Sequence, residues 1–218
     1  MASRPAAGGG RHVEVPPERL AKWLTGFEER HGLTTWTASP QRVDITGDDG
    51  ARAECDVPFP PMVVDESAPF GGLPSHASTD RRVGVLLVRL GGYAAGIFEG
   101  TTLTTSKVGS KSVHGRNSNG GWSQHRYARR REGQVKEALA ESADVAVRIL
   151  GGATGLQALV LGGETKAAGE VMQDTRLAKL LPLVQERFLV VPDPKLVVLQ
   201  QTPAMFRAVR IRVIDPGE

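Results

Sequence analysis

The 218-residue chain is predicted to be an α/β protein, a mixed sheet flanked by helices with a small α+β module ahead of it. Three observations lead there. Val83–Leu90 (VGVLLVRL) is a nearly continuous apolar run, the signature of a strand buried on both faces. Two further strand-like segments, Tyr93–Phe98 and Thr101–Val108, follow it after Gly-Gly and Glu-Gly breaks, as a meander of antiparallel strands requires. A long helical pattern from about Gln124 to Leu150 comes next, and apolar strand and helix segments alternate beyond it.

In chain order, residues 1–12 are rich in Gly, Ala and Pro and are expected to form a disordered tail. Residues 13–75 form the small module. Pro16 and Pro17 open its helix, with Leu20, Trp23, Leu24 and Phe27 at helical spacing and an end near Gly32. Trp23 and Phe27, one turn apart, are read as core anchors. Strand-like pieces follow at Leu33–Ala38, Gln41–Thr46 and Ala51–Val57, the last two joined by the turn Gly47-Asp48-Asp49-Gly50. Asp48 and Asp49 are solvated turn formers in this reading, not a catalytic pair. Residues 58–81, dense in Pro and Gly, are expected to be a linker, and residues 76–218 the main domain.

In the main domain the helix after the meander carries Val135, Leu139, Ala146, Ile149 and Leu150 on one stripe, and Gly151-Gly152 ends it. Leu156–Leu161 reads as a buried strand, followed by helical pieces near Glu164–Met172 and Thr175–Leu181. Phe188–Val191 and Leu196–Leu199 are further apolar segments. Arg207–Ile214 alternates cleanly and is expected at the edge of the main sheet.

Charge is concentrated between Lys107 and Lys136. Lys107, Lys111, Arg116, Arg126, Arg129, Arg130, Arg131 and Lys136 face one acid, Glu132, so thirty residues carry +7 in a chain whose total is +3. The remainder is therefore at −4. A one-sign cluster of this density is what a polyphosphate partner selects for, because each phosphate met by Lys or Arg releases a condensed counterion. The cluster adjoins Gly120-Gly121 and lacks the interspersed acids of a self-paired helix face. Aromatics make up 5% of the chain, too few for an extended base-stacking platform.

Other chemistry is poorly supported. Cys55 stands alone, with no partner for a disulfide or a zinc site, and reads as a small buried apolar residue. Neither a secretory leader nor a membrane span is visible, so a cytoplasmic protein with no membrane partner is expected. Asp44, Asp56 and Glu99 are single acids on different elements, and no cofactor is called for. Ser123 lacks a nucleophile elbow. His114 and His125 are candidate general bases, but histidines in basic loops more often contact phosphates. Gly162-Gly163-Glu164-Thr165-Lys166 lacks P-loop spacing and reads as a strand-to-helix turn.

The segment GRNSNGGWSQHRYARRREGQVKEALAESADVAVRIL resembles the catalytic segment of the archaeo-eukaryotic class I release factors: a glycine motif ending in Gln, a basic stretch, then a long helix. It is most similar to the Vms-like release factors of ribosome quality control in their actinobacterial form. ALVLGGETKAAGEVMQD resembles the strand, loop and helix that follow, and the resemblance spans roughly residues 83–200. It implies a ribonuclease-H-like α/β domain hydrolysing the ester between nascent peptide and tRNA on stalled ribosomes, with the large subunit and peptidyl-tRNA as partners. By position, Gln124 matches the catalytic glutamine, and Gly120 and Gly121 the glycines before it. Lys111, Arg116, His125, Arg126, Arg129, Arg130 and Arg131 fall on the flank that would grip rRNA and tRNA phosphates. Trp122 and Ser123 stand between Gly-Gly and Gln, where the class I factors have nothing. Gln134, after Gly133, is the rival glutamine, but it lies inside the helical pattern.

Overall fold

The computed structural model describes residues 3–6, 9–110 and 123–217, with backbone alone for residue 3 and residues 123–131. The chain divides into two units, residues 1–79 with 204–218, and residues 80–203.

The first unit is built on a six-stranded antiparallel sheet. Its strands are β1 (Ser3–Pro5), β2 (Arg11–Val15), β3 (Thr34–Ala38), β4 (Arg42–Gly47), β5 (Arg52–Asp56) and β10 (Val209–Ile214), in the order β1-β2-β10-β5-β4-β3. Period-2 alternation turns Val13, Val15, Val43, Ile45, Ala53, Cys55, Val209, Ile211 and Val213 into one buried layer. Helix α1 (Pro17–His31) contributes Leu20, Leu24 and Phe27 to the same core. The opposite face is polar, and there Glu54 accepts from Arg42 at 2.6 Å and pairs with Arg212 at 3.5 Å. Cys55 is fully buried, and burial pushes its thiol far above the usual range.

Three expectations change here. Arg207–Ile214 is not an edge strand of the main sheet: β10 runs between β2 and β5, with Arg210 opposite both Glu14 and Asp56. The N-terminal residues are not all tail, since Ser3–Pro5 pairs with β2, and β2 begins at Arg11. Residues 58–81 are not a bare linker. They include α2 (Leu73–Ser78), whose Leu73 and Ala77 join Met62 in the first core.

The second unit has a four-stranded sheet of β6 (Arg82–Arg89), β7 (Gly92–Glu99), β8 (Thr102–Ser110) and β9 (Ala158–Gly163), in the order β8-β7-β6-β9. The first three strands form the expected antiparallel meander, and β9 adds in parallel to β6. Past β9, Val184 and Leu189 form parallel bridges to Leu159 and Gly162, a rudimentary fifth position. Three antiparallel strands followed by parallel additions is the ribonuclease-H-like order. Residues 83–88 of β6 are all buried, as its unbroken apolar run requires.

Helices α3 (Ser123–Ala146) and α4 (Thr165–Met172) share a core with Leu86, Val88, Tyr93, Ala95 and Ile97. The face bearing Gly96 is met instead by Leu199 of α5 (Leu196–Phe206), whose Cδ2 would lie 3.0 Å from a β-carbon at residue 96. α3 ends in a π-helical turn, Val147–Gly151, which keeps Leu150 buried.

Candidate active site and RNA interface

β8 is an edge strand among the described residues. Its Thr and Ser side chains and Lys107 are exposed, and it ends at Ser110. Helix α3 begins at Ser123, so residues 111–122 join an exposed polar strand to a long helix. Gln124 is the second residue of that helix, and His125, Arg126, Arg129, Arg130 and Arg131 occupy its first two and a half turns. Lys111, Arg116, Gly120 and Gly121, with His114, lie outside the described residues, as do the side chains of Gln124 and the five basic residues that follow it. Gln134 is ten residues further on, about 15 Å along the helix axis, and half-buried.

The charge order along α3 runs against helix stability. Its first turn contains no acid, and the earliest one, Glu132, comes after the whole arginine cluster. Arg126, in the first turn, is disfavoured there by the aligned peptide dipoles and has no carboxylate three or four residues on, whereas Arg129 has Glu132 at i+3.

Burial along α3 is equally uneven. No residue from Glu132 to Glu141 is buried, whereas Ser142, Ala143, Val145, Ala146 and Leu150 are. Among the α3 residues whose side chains are described, full burial therefore begins at Ser142, with Leu139 half-buried against the same core. Ser142 is satisfied within the helix, donating from Oγ to the Ala138 carbonyl at 2.7 Å. Two polar contacts brace the same region: Tyr93 Oη donates to Glu141 Oε1 at 2.8 Å, and Arg176 Nη2 donates to Asp144 Oδ1 at 2.7 Å. Neither was visible in the sequence, where the partners stand 48 and 32 positions apart. A groove of about 900 Å³ lies beside α3 and α4, with Val135, Leu139 and Val171 among its apolar residues and Glu132, Lys136 and Glu170 among its charged ones.

The weaker sequence candidates have ordinary structural duties. Gly162 and Gly163 pack rather than cradle. A β-carbon at residue 162 would stand 2.8 Å from the Leu189 carbonyl oxygen, and one at residue 163 would overlap that of Val88. The amides of Gly163 and Glu164 are already donated to those two carbonyls. Asp49 accepts from the Ala51 amide at 2.9 Å and pairs with His31, and the His31 contact is the main cause of its lowered pKa. Asp44 pairs with Arg42 and Glu99 with Arg82, on separate sheets. Among the described residues no helix is long and apolar enough to cross a membrane.

The sheet order and the helix together define a mixed α/β protein carrying a cationic helix start. Residues 81–212 match the family described as Actinobacteria/chloroflexi VLRF1 release factor, and the chain belongs to that family. Its setting is therefore translation, in a release-factor-like role. Similar solved structures include the archaeal translation termination factor aRF1, at 14% identity and a TM-score of 0.44 over 90% of this chain and 66% of that one. Another is Saccharomyces cerevisiae Dom34, a translation termination-like factor, at 9% identity and a TM-score of 0.29 over 93% of this chain and 66% of that one. The chain thus spans a little under two thirds of the length of each. No protein of curated function matches it.

Proposed function

We propose that this chain is a peptidyl-tRNA hydrolase that frees nascent peptides from tRNA on stalled ribosomes, as part of ribosome quality control in the cytoplasm. The observation that carries the reading is the position of Gln124. It stands at the start of the long helix that follows β8, within the span matched by a release-factor family.

In the proposed reaction a water oxygen attacks the ester carbonyl on the terminal ribose. The tetrahedral oxyanion collapses with cleavage of the bond to the 3′-oxygen. One proton of the water ends on that oxygen and the other passes to solvent as the new acid ionises, so the products are a peptide carboxylate and a tRNA with a free 3′-hydroxyl. The Gln124 amide orients the water. It donates and accepts without titrating, so it does not act as an indiscriminate base. Unpaired amides at the start of α3, at the positive end of the helix dipole, favour the oxyanion. Gly120 and Gly121 permit close approach of the backbone to the ribose. Lys111, Arg116, His125, Arg126, Arg129, Arg130 and Arg131 dock phosphates of tRNA and large-subunit rRNA. None of these roles calls on a cofactor.

The product RNA tests the reaction type. Stalled complexes carrying end-labelled tRNA are incubated with the protein and resolved by denaturing electrophoresis. Full-length tRNA with a free 3′ end is expected. A shortened tRNA would make the chain a nuclease, and salt-sensitive binding with the ester intact would make it a noncatalytic ribosome-binding factor.

A further inference from the structure

Tyr93 of β7 stands directly opposite Gly109 of β8. Its ring fills the space above that glycine, and a β-carbon at residue 109 would overlap Tyr93 Oη and Cζ. A glycine inside a strand ordinarily weakens it, but an aromatic lying across from it restores packing and pins the register. The same ring reaches α3, where Oη donates to Glu141 Oε1 at 2.8 Å. Burial, with the adjoining Glu141 carboxylate, raises the Tyr93 pKa, so the phenol stays a donor across the neutral range.

The placement of these contacts is informative. Gly109 is the penultimate residue of β8, the strand that leads into the basic segment. Glu141 belongs to the helix that leaves that segment, and it is the last residue before α3 becomes buried at Ser142. One side chain therefore contacts both flanks, meeting the helix one residue before its fully buried stretch begins. Packing alone does not require the hydroxyl, since phenylalanine would fill the same space.

We propose that Tyr93 is a positioning residue for peptide release: by bridging Gly109 and Glu141 it fixes α3 against the end of β8 and so sets where Gln124 is presented. Its catalytic consequence rests on the release reading above, whereas the mechanical linkage stands by itself. Small misplacements of reacting groups cost large factors in rate. Tyr93→Phe is thus expected to lower kcat for release about tenfold. Glu141→Gln keeps a side-chain carbonyl acceptor and should retain the wild-type rate. Glu141→Leu should be at least as slow as Tyr93→Phe, and the double variant should be no slower than Glu141→Leu, because both remove the same bond.

The experiment pairs release kinetics of these variants on stalled complexes with amide hydrogen exchange of the free proteins. Exchange across residues 133–141 and 108–110 should quicken about tenfold in Tyr93→Phe and Glu141→Leu, stay unchanged in Glu141→Gln, and stay unchanged in β6 in every variant. A folded Tyr93→Phe protein with wild-type kcat, or one whose exchange across both flanks is unchanged, overturns the proposal. If the wild-type chain itself releases no peptide, the release reading fails. The exchange comparison then decides the linkage alone, faster exchange in both flanks upholding it and unchanged exchange overturning it.

Discussion

Arg176 donates from Nη2 to Asp144 Oδ1 at 2.7 Å while the same guanidinium holds Asp174 Oδ2 at 2.6 Å. Asp174 also caps the turn after α4, accepting from the Arg176 amide at 2.9 Å. One arginine thus ties the anchored part of α3 to the segment that follows α4.

This clamp has a pH signature. The hydrogen bond from the Arg176 side chain, then that from its amide, hold the Asp174 carboxyl at about 2, below its ordinary value. A carboxyl depressed in the folded state stabilises it above the ordinary carboxylate pKa, and that contribution disappears as pH falls through the folded value. Acid titration followed by circular dichroism should show Asp174→Asn less stable than wild type at neutral pH. The difference should close between about pH 4 and pH 2.

The Gly162-Gly163 turn is a packing device, and substitution there should cost stability directly. Gly163 has a φ of 98°, in the left-handed region, and has no room for a β-carbon beside the Val88 carbonyl. Gly163→Ala is expected to destabilise the protein by about 2 kcal/mol or more, read from denaturant unfolding. A phosphate-cradle role would instead predict lost anion binding at unchanged stability.

Leu150 is fully buried where α3 passes into its π-helical turn. Leu150→Ala should cost about 3 kcal/mol, through lost transfer energy and the cavity left behind. Denaturant unfolding monitored by circular dichroism should show the lowered midpoint.

In the proposed reading Arg129 and Arg130 dock phosphates, so their effect should be electrostatic. Replacing each by Gln should reduce the slope of log affinity for ribosomal complexes against log salt by about 1. Equilibrium binding across a salt series supplies the slope. An unchanged slope would remove those two residues from the interface.

Local pattern made much of this legible in the sequence. The β6–β8 meander, the Gly47–Gly50 hairpin turn, α1 between Pro17 and Gly32, and the long α3 all follow from periodicity and punctuation. Pairing at long range did not. The alternation of Arg207–Ile214 says strand but not which sheet, and its partner Asp56 lies more than 150 positions from Arg210. Pro and Gly made residues 58–81 look like a linker because their composition conceals that Met62, Leu73 and Ala77 fill a core. The charge cluster between Lys107 and Lys136 was readable because charge is written locally. The bracing by Tyr93 and Arg176 was not, since hydrogen bonds between distant elements leave no periodic trace.

The release account turns on the Gln124 amide, and single-turnover release of labelled peptide from stalled complexes by Gln124→Ala tests it most directly. Release should slow by roughly 10²–10³-fold while binding to the complexes is retained, as expected when one group aimed at the transition state is removed. Release at the wild-type rate by Gln124→Ala would contradict the account.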